Sequence, residues 1–350
     1  MKRIVASLNV LALLFLGTMA CAQDKPAEYT SEADVAKDAV LKRDFDVQGE
    51  YLGQFNDMRV GLDVIARGDG QFDFVAFVGG LPGDGWTRND IRAFGKMAFK
   101  GDELEFKLEK VDDGITRRDI TNDDIDSPQG MATFKDGKAT FSIVGAKIEF
   151  VKQNRESATL GLKAPEGAVV LFGDGKASDL FERAEINKET GTLWAEASTK
   201  PFEKKPYTMH VEFMLSYMPT ARGQQRSNSG VYIDDAYECQ VLDSFGLEGE
   251  NNECGGFYTM SKPIVNMCYP PLRWQTYDID FIPAKFDADG NKTDKAVISV
   301  KHNGKVIQKE FRPDKETPGR KKETPEARGV YLQGHGNKVQ FKNIWIKYAE

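Results

Sequence analysis

Met209-His210-Val211-Glu212-Phe213-Met214-Leu215 is the stretch that decides the fold. Successive side chains of a strand point to opposite faces, so Met209, Val211, Phe213 and Leu215 form one apolar side and leave His210, Glu212 and Met214 on the other. The same alternation recurs downstream. Val231 and Ile233 alternate with Asn228, Gly230 and Tyr232; Tyr237, Cys239 and Val241 with Glu238 and Gln240; Val330 and Leu332 with Tyr331, Gln333 and His335. Turn signals such as Ala288-Asp289-Gly290-Asn291 and His302-Asn303-Gly304-Lys305 punctuate the region, and no long amphipathic helix interrupts it. This pattern predicts an all-β sandwich of roughly a dozen strands over residues 165–350.

Upstream, short alternating runs between Gly49 and Phe150 are separated by Gly68-Asp69-Gly70, Lys100-Gly101-Asp102 and Asp136-Gly137, which predicts a small antiparallel β domain at 46–155. Gly79-Gly80-Leu81-Pro82-Gly83-Asp84-Gly85 is a long turn rather than a phosphate loop, because neither Lys-Ser/Thr nor a helix follows it. The polar stretch Asn154–Gly167, with Pro165, marks the boundary between domains. Residues 23–45 are charged and poor in aromatics and read as a flexible leader.

Lys2 and Arg3, the apolar run Ile4–Leu16 and Ala20-Cys21-Ala22 form a signal peptide over residues 1–22. The protein is therefore expected to be exported, periplasmic or extracellular, with a lipid anchor on Cys21 as the alternative to simple cleavage. No later run of apolar residues is long enough for a membrane span. The formal charge of -7, with no dense basic block, excludes a nucleic-acid partner. Three cysteines follow the leader in a compartment that permits disulfides. A bridge between Cys254 and Cys268, with Cys239 unpaired, is expected, since the three lack zinc-site spacing.

The polar faces of the second domain have a plain explanation, since antiparallel sheets turn one side to water. A solvated face usually carries Lys, Glu, Thr and Ser, however, whereas these strands offer Asn, Gln, His, Tyr and single carboxylates, the planar hydrogen-bonding groups that sugar hydroxyls require. Trp274 and Tyr277 are candidates for stacking on a sugar ring or for the core. His302 reads as structural or solvated and Trp345 as packing, while Arg222, Arg226 and Arg273 read as solvated loop charges, with binding of an anionic group as the alternative.

Several runs together resemble one known family. They are Glu212, Asn228-Ser229-Gly230-Val231-Tyr232, Tyr237-Glu238-Cys239-Gln240-Val241-Leu242-Asp243, Gly255-Gly256-Phe257-Tyr258, Trp274-Gln275-Thr276-Tyr277, Asn303-Gly304, Leu332-Gln333-Gly334-His335-Gly336 and Phe341-Lys342-Asn343-Ile344. In this order, from about Ala168 to Tyr348, they resemble the 3-keto-disaccharide hydrolase family, DUF1080, departing from it at Cys239, where an aliphatic residue is usual. The resemblance implies a concanavalin A-like jelly roll and cleavage of an oligosaccharide substrate oxidised at C3, a 3-keto-glycoside, by proton abstraction beside the carbonyl. It implies catalytic Glu212, Glu238 and His335, with Asn228, Ser229, Tyr232, Gln240, Asp243, Tyr258, Trp274 and Gln333 on the substrate. A divalent metal held by some of His335, Glu238 and Glu212 would suit the C3 oxygen; no nucleotide cofactor is implied. Two other readings stand beside it: a noncatalytic lectin-like module, and an ordinary glycosidase using Glu212 and Glu238 as its carboxyl pair.

Overall fold

Both halves of the chain are antiparallel β-structure in the computed structural model, which describes residues 25–114, 119–121, 129–143 and 145–350. The signal peptide expected at 1–22, with Cys21, lies outside the described residues.

In the first half, Gly49–Phe55, Met58–Gly68, Gln71–Val78, Arg92–Lys100, Glu103–Asp112, Gln129–Lys135, Lys138–Ile143 and Ala146–Gln153 each pair with the next strand, and the last returns to the first. The small β domain is thus a closed eight-stranded meander barrel, and closure removes the exposed edges that an open sheet would offer. Its turns are those the sequence announced. Asp69-Gly70 and Asp136-Gly137 both take positive φ, as tight hairpins of right-twisted strands require. Aromatic rings fill the interior. Phe141 sits 4.9 Å from Phe106, 5.6 Å from Phe150 and 6.0 Å from both Phe74 and Phe134, so the barrel is a packed core with no room for a guest.

The second half is a sandwich of two sheets. The back sheet runs Lys176–Ala177, Val169–Gly173, Gln340–Tyr348, Tyr207–Met214, Trp274–Ile282, Val297–His302 and Lys305–Phe311. The front sheet runs Phe181–Arg183, Ala197–Thr199, Tyr331–Leu332, Asn228–Ile233 and Tyr237–Leu242. Between them lie the alternating residues read from the sequence, among them Met209, Val211, Phe213, Val231, Ile233, Cys239 and Val241. Asn303-Gly304 closes a hairpin with both residues at positive φ.

The barrel is docked on the sandwich by strands buried on both sides. Along Met58–Gly68, Leu62, Val64 and Ala66 point into the barrel, while Ile65 joins the core of the sandwich together with Val75, Phe77 and Trp86. Trp86 packs edge-on against Phe77 at 5.0 Å. Arg88 donates to the carbonyls of Gly249, Pro263 and Ile264, and Arg155 pairs with Glu50 while lying over the Tyr269 ring.

Two expectations are corrected. Residues 25–47, most of which read as leader, are packed rather than free. Asp38 caps a helix at Ala39–Val47, Val35 is fully buried, and Tyr29 bridges Tyr217 of the sandwich. A few apolar side chains suffice to anchor this charged segment, a signal too sparse to read from composition. The bridge expected between Cys254 and Cys268 is absent: all three cysteines are buried free thiols, and Cys254 and Cys268 hydrogen-bond to each other in the core. Of the two readings of His302, structural or solvated, the structure selects the first. The side chain is fully buried, paired with Gln275 Oε1 at 2.9 Å, and burial pushes its pKa down to about 3, which keeps the ring neutral.

Phe141→Ala removes the ring that four other phenylalanines enclose, and large-to-small changes of this kind cost about 3–5 kcal/mol. The expected outcome is a barrel that unfolds at clearly lower urea concentration, read as loss of near-ultraviolet circular dichroism.

Candidate functional site

The front sheet turns a row of polar groups away from the core. Cross-strand register sets Tyr331 beside Tyr232 and Tyr232 beside Glu238, while Gly230 faces Gln240 one step along. The Tyr232 and Tyr331 rings lie 5.6 Å apart. Arg320 covers them from the loop above, 3.9 Å from the Tyr331 ring and 5.5 Å from that of Tyr232, and is held there by Asp235. Thr317 anchors the same loop, its hydroxyl accepting from the Glu238 N–H at 2.9 Å.

Glu238 is the charged centre of this row. Its carboxyl occupies the space left by Gly230: a Cβ built there would stand 2.3 Å from Glu238 Oε1. A relay reaches it from the neighbouring strand, in which Gln333 Nε2 donates to Tyr232 Oη at 3.2 Å and Tyr232 hydrogen-bonds the carboxyl. Burial disfavours the ionised form, and the single hydrogen bond from Tyr232 does not offset it, so the pKa of Glu238 is pushed up to about 7. Burial also pushes the Tyr232 phenol far up, so that it keeps its proton.

Amides line the adjoining floor. Gln240 Nε2 donates to Gln224 Oε1 at 3.2 Å and Asn228 Nδ2 to the Gln224 carbonyl at 2.8 Å. Asn228 Oδ1 and Gln333 Oε1 are buried and without a protein partner. Buried acceptors left open in this way are suited to the hydroxyl donors of a sugar.

The remaining expected residues lie elsewhere. Ser229 and Asp243 fall on the inward parity: Ser229 Oγ donates to the Gln333 carbonyl, and Asp243 pairs with buried Arg226 at 2.7 Å. Tyr258 touches the site through its backbone, its N–H donating to the Glu238 carbonyl at 3.4 Å. Tyr277 is core, and its hydroxyl holds the Gln240 carbonyl at 2.6 Å. His335 is exposed on a cleft of about 510 Å³ that it shares with Lys25, Arg222, Gln225 and Asn337.

Glu212 belongs to the back sheet and faces away from Glu238, with the apolar core between them. Stacked sheets stand about 10 Å apart, and these carboxyls point outward from both. Glu212 Oε1 accepts from the Gly161 N–H at 2.6 Å and from Asn343 at 2.8 Å, with His210 Nε2 at 3.4 Å. Burial alone would raise its pKa, but the hydrogen bonds from His210, Asn343 and Gly161 bring it below the usual carboxylate range. His210 in turn holds Asp278 at 2.7 Å and stacks on Trp345. This cluster fastens residues 157–162 across the back of the sandwich, as Thr159 also bonds Asp278 and Trp345 donates to the Leu162 carbonyl. Trp274 is part of the same outer surface, 4.1 Å from Lys342.

The shared role expected for Glu212 and Glu238 is therefore corrected, and with it any metal site that needs both of these carboxyls. Among the described residues, no three His, Cys, Asp or Glu side chains are grouped to hold a metal ion. Sequence reasoning missed Gln224, Thr317 and Arg320, loop residues that no strand alternation marks.

Residues 167–347 match the family model described as a 3-keto-alpha-glucoside-1,2-lyase-like domain. Two solved structures of candidate glycosyl hydrolases from Parabacteroides distasonis ATCC 8503 are similar. One is 29% identical, with a TM-score of 0.48, covering 53% of this chain and 86% of its own. The other is 19% identical, with a TM-score of 0.35, covering 53% of this chain and 95% of its own. No curated protein matches.

A carboxyl whose folded pKa of about 7 lies above its ordinary 4.5 binds its proton more tightly when folded, so its contribution to stability falls as pH rises between those values. Glu238→Gln escapes that loss. Thermal melts of the two proteins are expected to converge near pH 4 and to separate toward pH 8, with the variant melting higher.

Proposed function

Since the chain belongs to the 3-keto-alpha-glucoside-1,2-lyase-like family, we propose that it cleaves 3-keto-glycosides at the front-sheet site with Glu238 as the proton-transferring group. The observation that carries this reading is the Glu238 carboxyl set in the space left by Gly230, beside open amide oxygens and with burial raising its pKa to about 7, since proton transfer is most effective when the catalytic pKa matches the working pH.

A carbonyl at C3 acidifies the hydrogen on C2. Glu238 takes that proton, and the electron pair left on C2 becomes an enolate with its charge on the C3 oxygen. Collapse of the enolate forms the C1–C2 double bond and breaks the bond from C1 to the aglycone oxygen. Glu238 returns its proton to that oxygen, so the aglycone leaves as an alcohol. Water then adds across the double bond, its hydroxyl to C1 and its proton to C2, giving the free 3-keto sugar. Tyr232, still protonated, is the donor that steadies the Glu238 carboxylate, and Gln333 fixes the orientation of that phenol. Asn228 Oδ1 and Gln333 Oε1 accept from hydroxyls of the sugar.

The two-carboxyl glycosidase built on Glu212 and Glu238 is set aside, because Glu212 lies on the far face. A lectin using the same surface would leave a raised carboxyl pKa without a purpose. The Lys2-Arg3 and Ile4–Leu16 pattern supports action outside the cytoplasm. Among the described residues, no helix is long and apolar enough to cross a membrane.

The test offers the purified protein a 3-keto-disaccharide and its unoxidised parent. Cleavage of the keto sugar alone is expected, with kcat rising through about pH 7 as Glu238 ionises. Glu238→Gln should lower kcat by about 10²–10⁴-fold while sugar binding persists, the range spanned by general acid–base groups. Cleavage of the parent alone, of neither sugar, or full activity of the variant contradicts the proposal.

A further inference from the structure

An open cavity of about 1000 Å³ lies far along the chain from Glu238, at one mouth of the barrel. The helix Ala39–Val47 forms one side and the turn at Asp136-Gly137 another. Six lysine and arginine side chains line it against three aspartates, in a protein whose formal charge is -7. Some of these cations are engaged: Lys42 pairs with Asp46, and Arg43 lies 3.8 Å over the ring of Phe99. Lys135 and Lys138 make no ion pair among the described residues. Lys152 is half-buried. Its ammonium donates to the Asp46 carbonyl at 2.6 Å and stands 5.7 Å from the ring of Tyr51.

Burial pushes Lys152 down to about 8, which says that the neighbours of this cation do not make up for the water it has lost. An anion beside it would supply what is missing. Phe99 and Phe134 are half-buried in the same wall beside the cations, Phe99 with the Arg43 guanidinium over its ring. Such a wall suits a ligand that combines negative charge with a flat apolar face, as a sugar ring with a carboxylate does. A long acyl chain has nowhere to go, because Phe74, Phe106, Phe141 and Phe150 fill the barrel below.

We propose that the barrel mouth is a binding site for acidic saccharide, chains bearing uronate carboxylates, held by Lys138 and Lys152 and by the aromatic wall. The barrel then tethers the protein to an acidic glycan while the sandwich works on glycosides, and the two sites are independent in sequence and in charge.

The experiment titrates the full chain with oligogalacturonate by calorimetry, with neutral cello-oligosaccharide, inorganic sulfate and laurate as comparison probes. Expected are binding of oligogalacturonate alone, weakening as salt rises from about 0.05 to 0.5 M, and affinity roughly tenfold lower in Lys138→Gln and in Lys152→Gln. Glu238→Gln should bind as the parent does, which separates this site from the catalytic reading. Lys138 is exposed, so its variant stays folded and keeps the test open if Lys152→Gln is unstable. Absence of binding, equal binding of sulfate or laurate, or affinity unchanged in both lysine variants overturns the proposal.

Discussion

The alternation of side chains along a strand, applied where both faces are buried, is the constraint on which this molecule rests. In Met58–Gly68 one parity fills the barrel while Ile65, on the other, reaches the core of the sandwich, so the two domains share a wall. A one-residue slip in that strand would exchange the two sets and expose both cores. Closure of the barrel and its docking are thus one packing problem. Arg155 over the Tyr269 ring and Arg88 on three carbonyls are polar contacts that span the boundary.

The same alternation creates the site. On the front sheet, inward parity gives Val231, Ile233, Cys239 and Val241 to the core, and outward parity collects Asn228, Tyr232, Glu238 and Gln240. What turns a polar row into reactive chemistry is unequal compensation. The Glu238 carboxyl loses water and regains one hydrogen bond from a phenol, whereas Glu212, less deeply desolvated, regains several. Two glutamates in sister strands therefore end on opposite sides of their ordinary pKa. The one left short is the one suited to moving a proton. Gly230 belongs to the same balance, because any side chain there would occupy the space of the carboxyl.

The back sheet shows what becomes of a polar face when the chain covers it. His210, Asp278 and Glu212 have the composition of a catalytic cluster, yet their lone pairs and protons are taken up by Gly161, Thr159 and Asn343. A satisfied network of this kind holds the connection between domains against the sandwich. It leaves no group free to meet a substrate.

Much of this was legible in the amino-acid order, because period-2 patterning and turn chemistry are local. The all-β class, the inward set of the sandwich and the Asn303-Gly304 hairpin follow from neighbours in sequence. So does the outward set that holds Tyr232, Glu238, Gln240 and Gln333, and the family to which the second domain belongs. What alternation leaves undetermined is the sheet to which a strand is assigned. Glu212 and Glu238 have the same parity signature and differ only in that assignment, which long-range pairing decides. Closure of the barrel, the arrival of Arg320 and Thr317 from a loop, and the docking of residues 25–47 were likewise set by contacts between distant segments. The sequence by itself named the chemical groups; tertiary packing alone decided which of them share a face, because desolvation and hydrogen-bond partners come from residues far away in the chain.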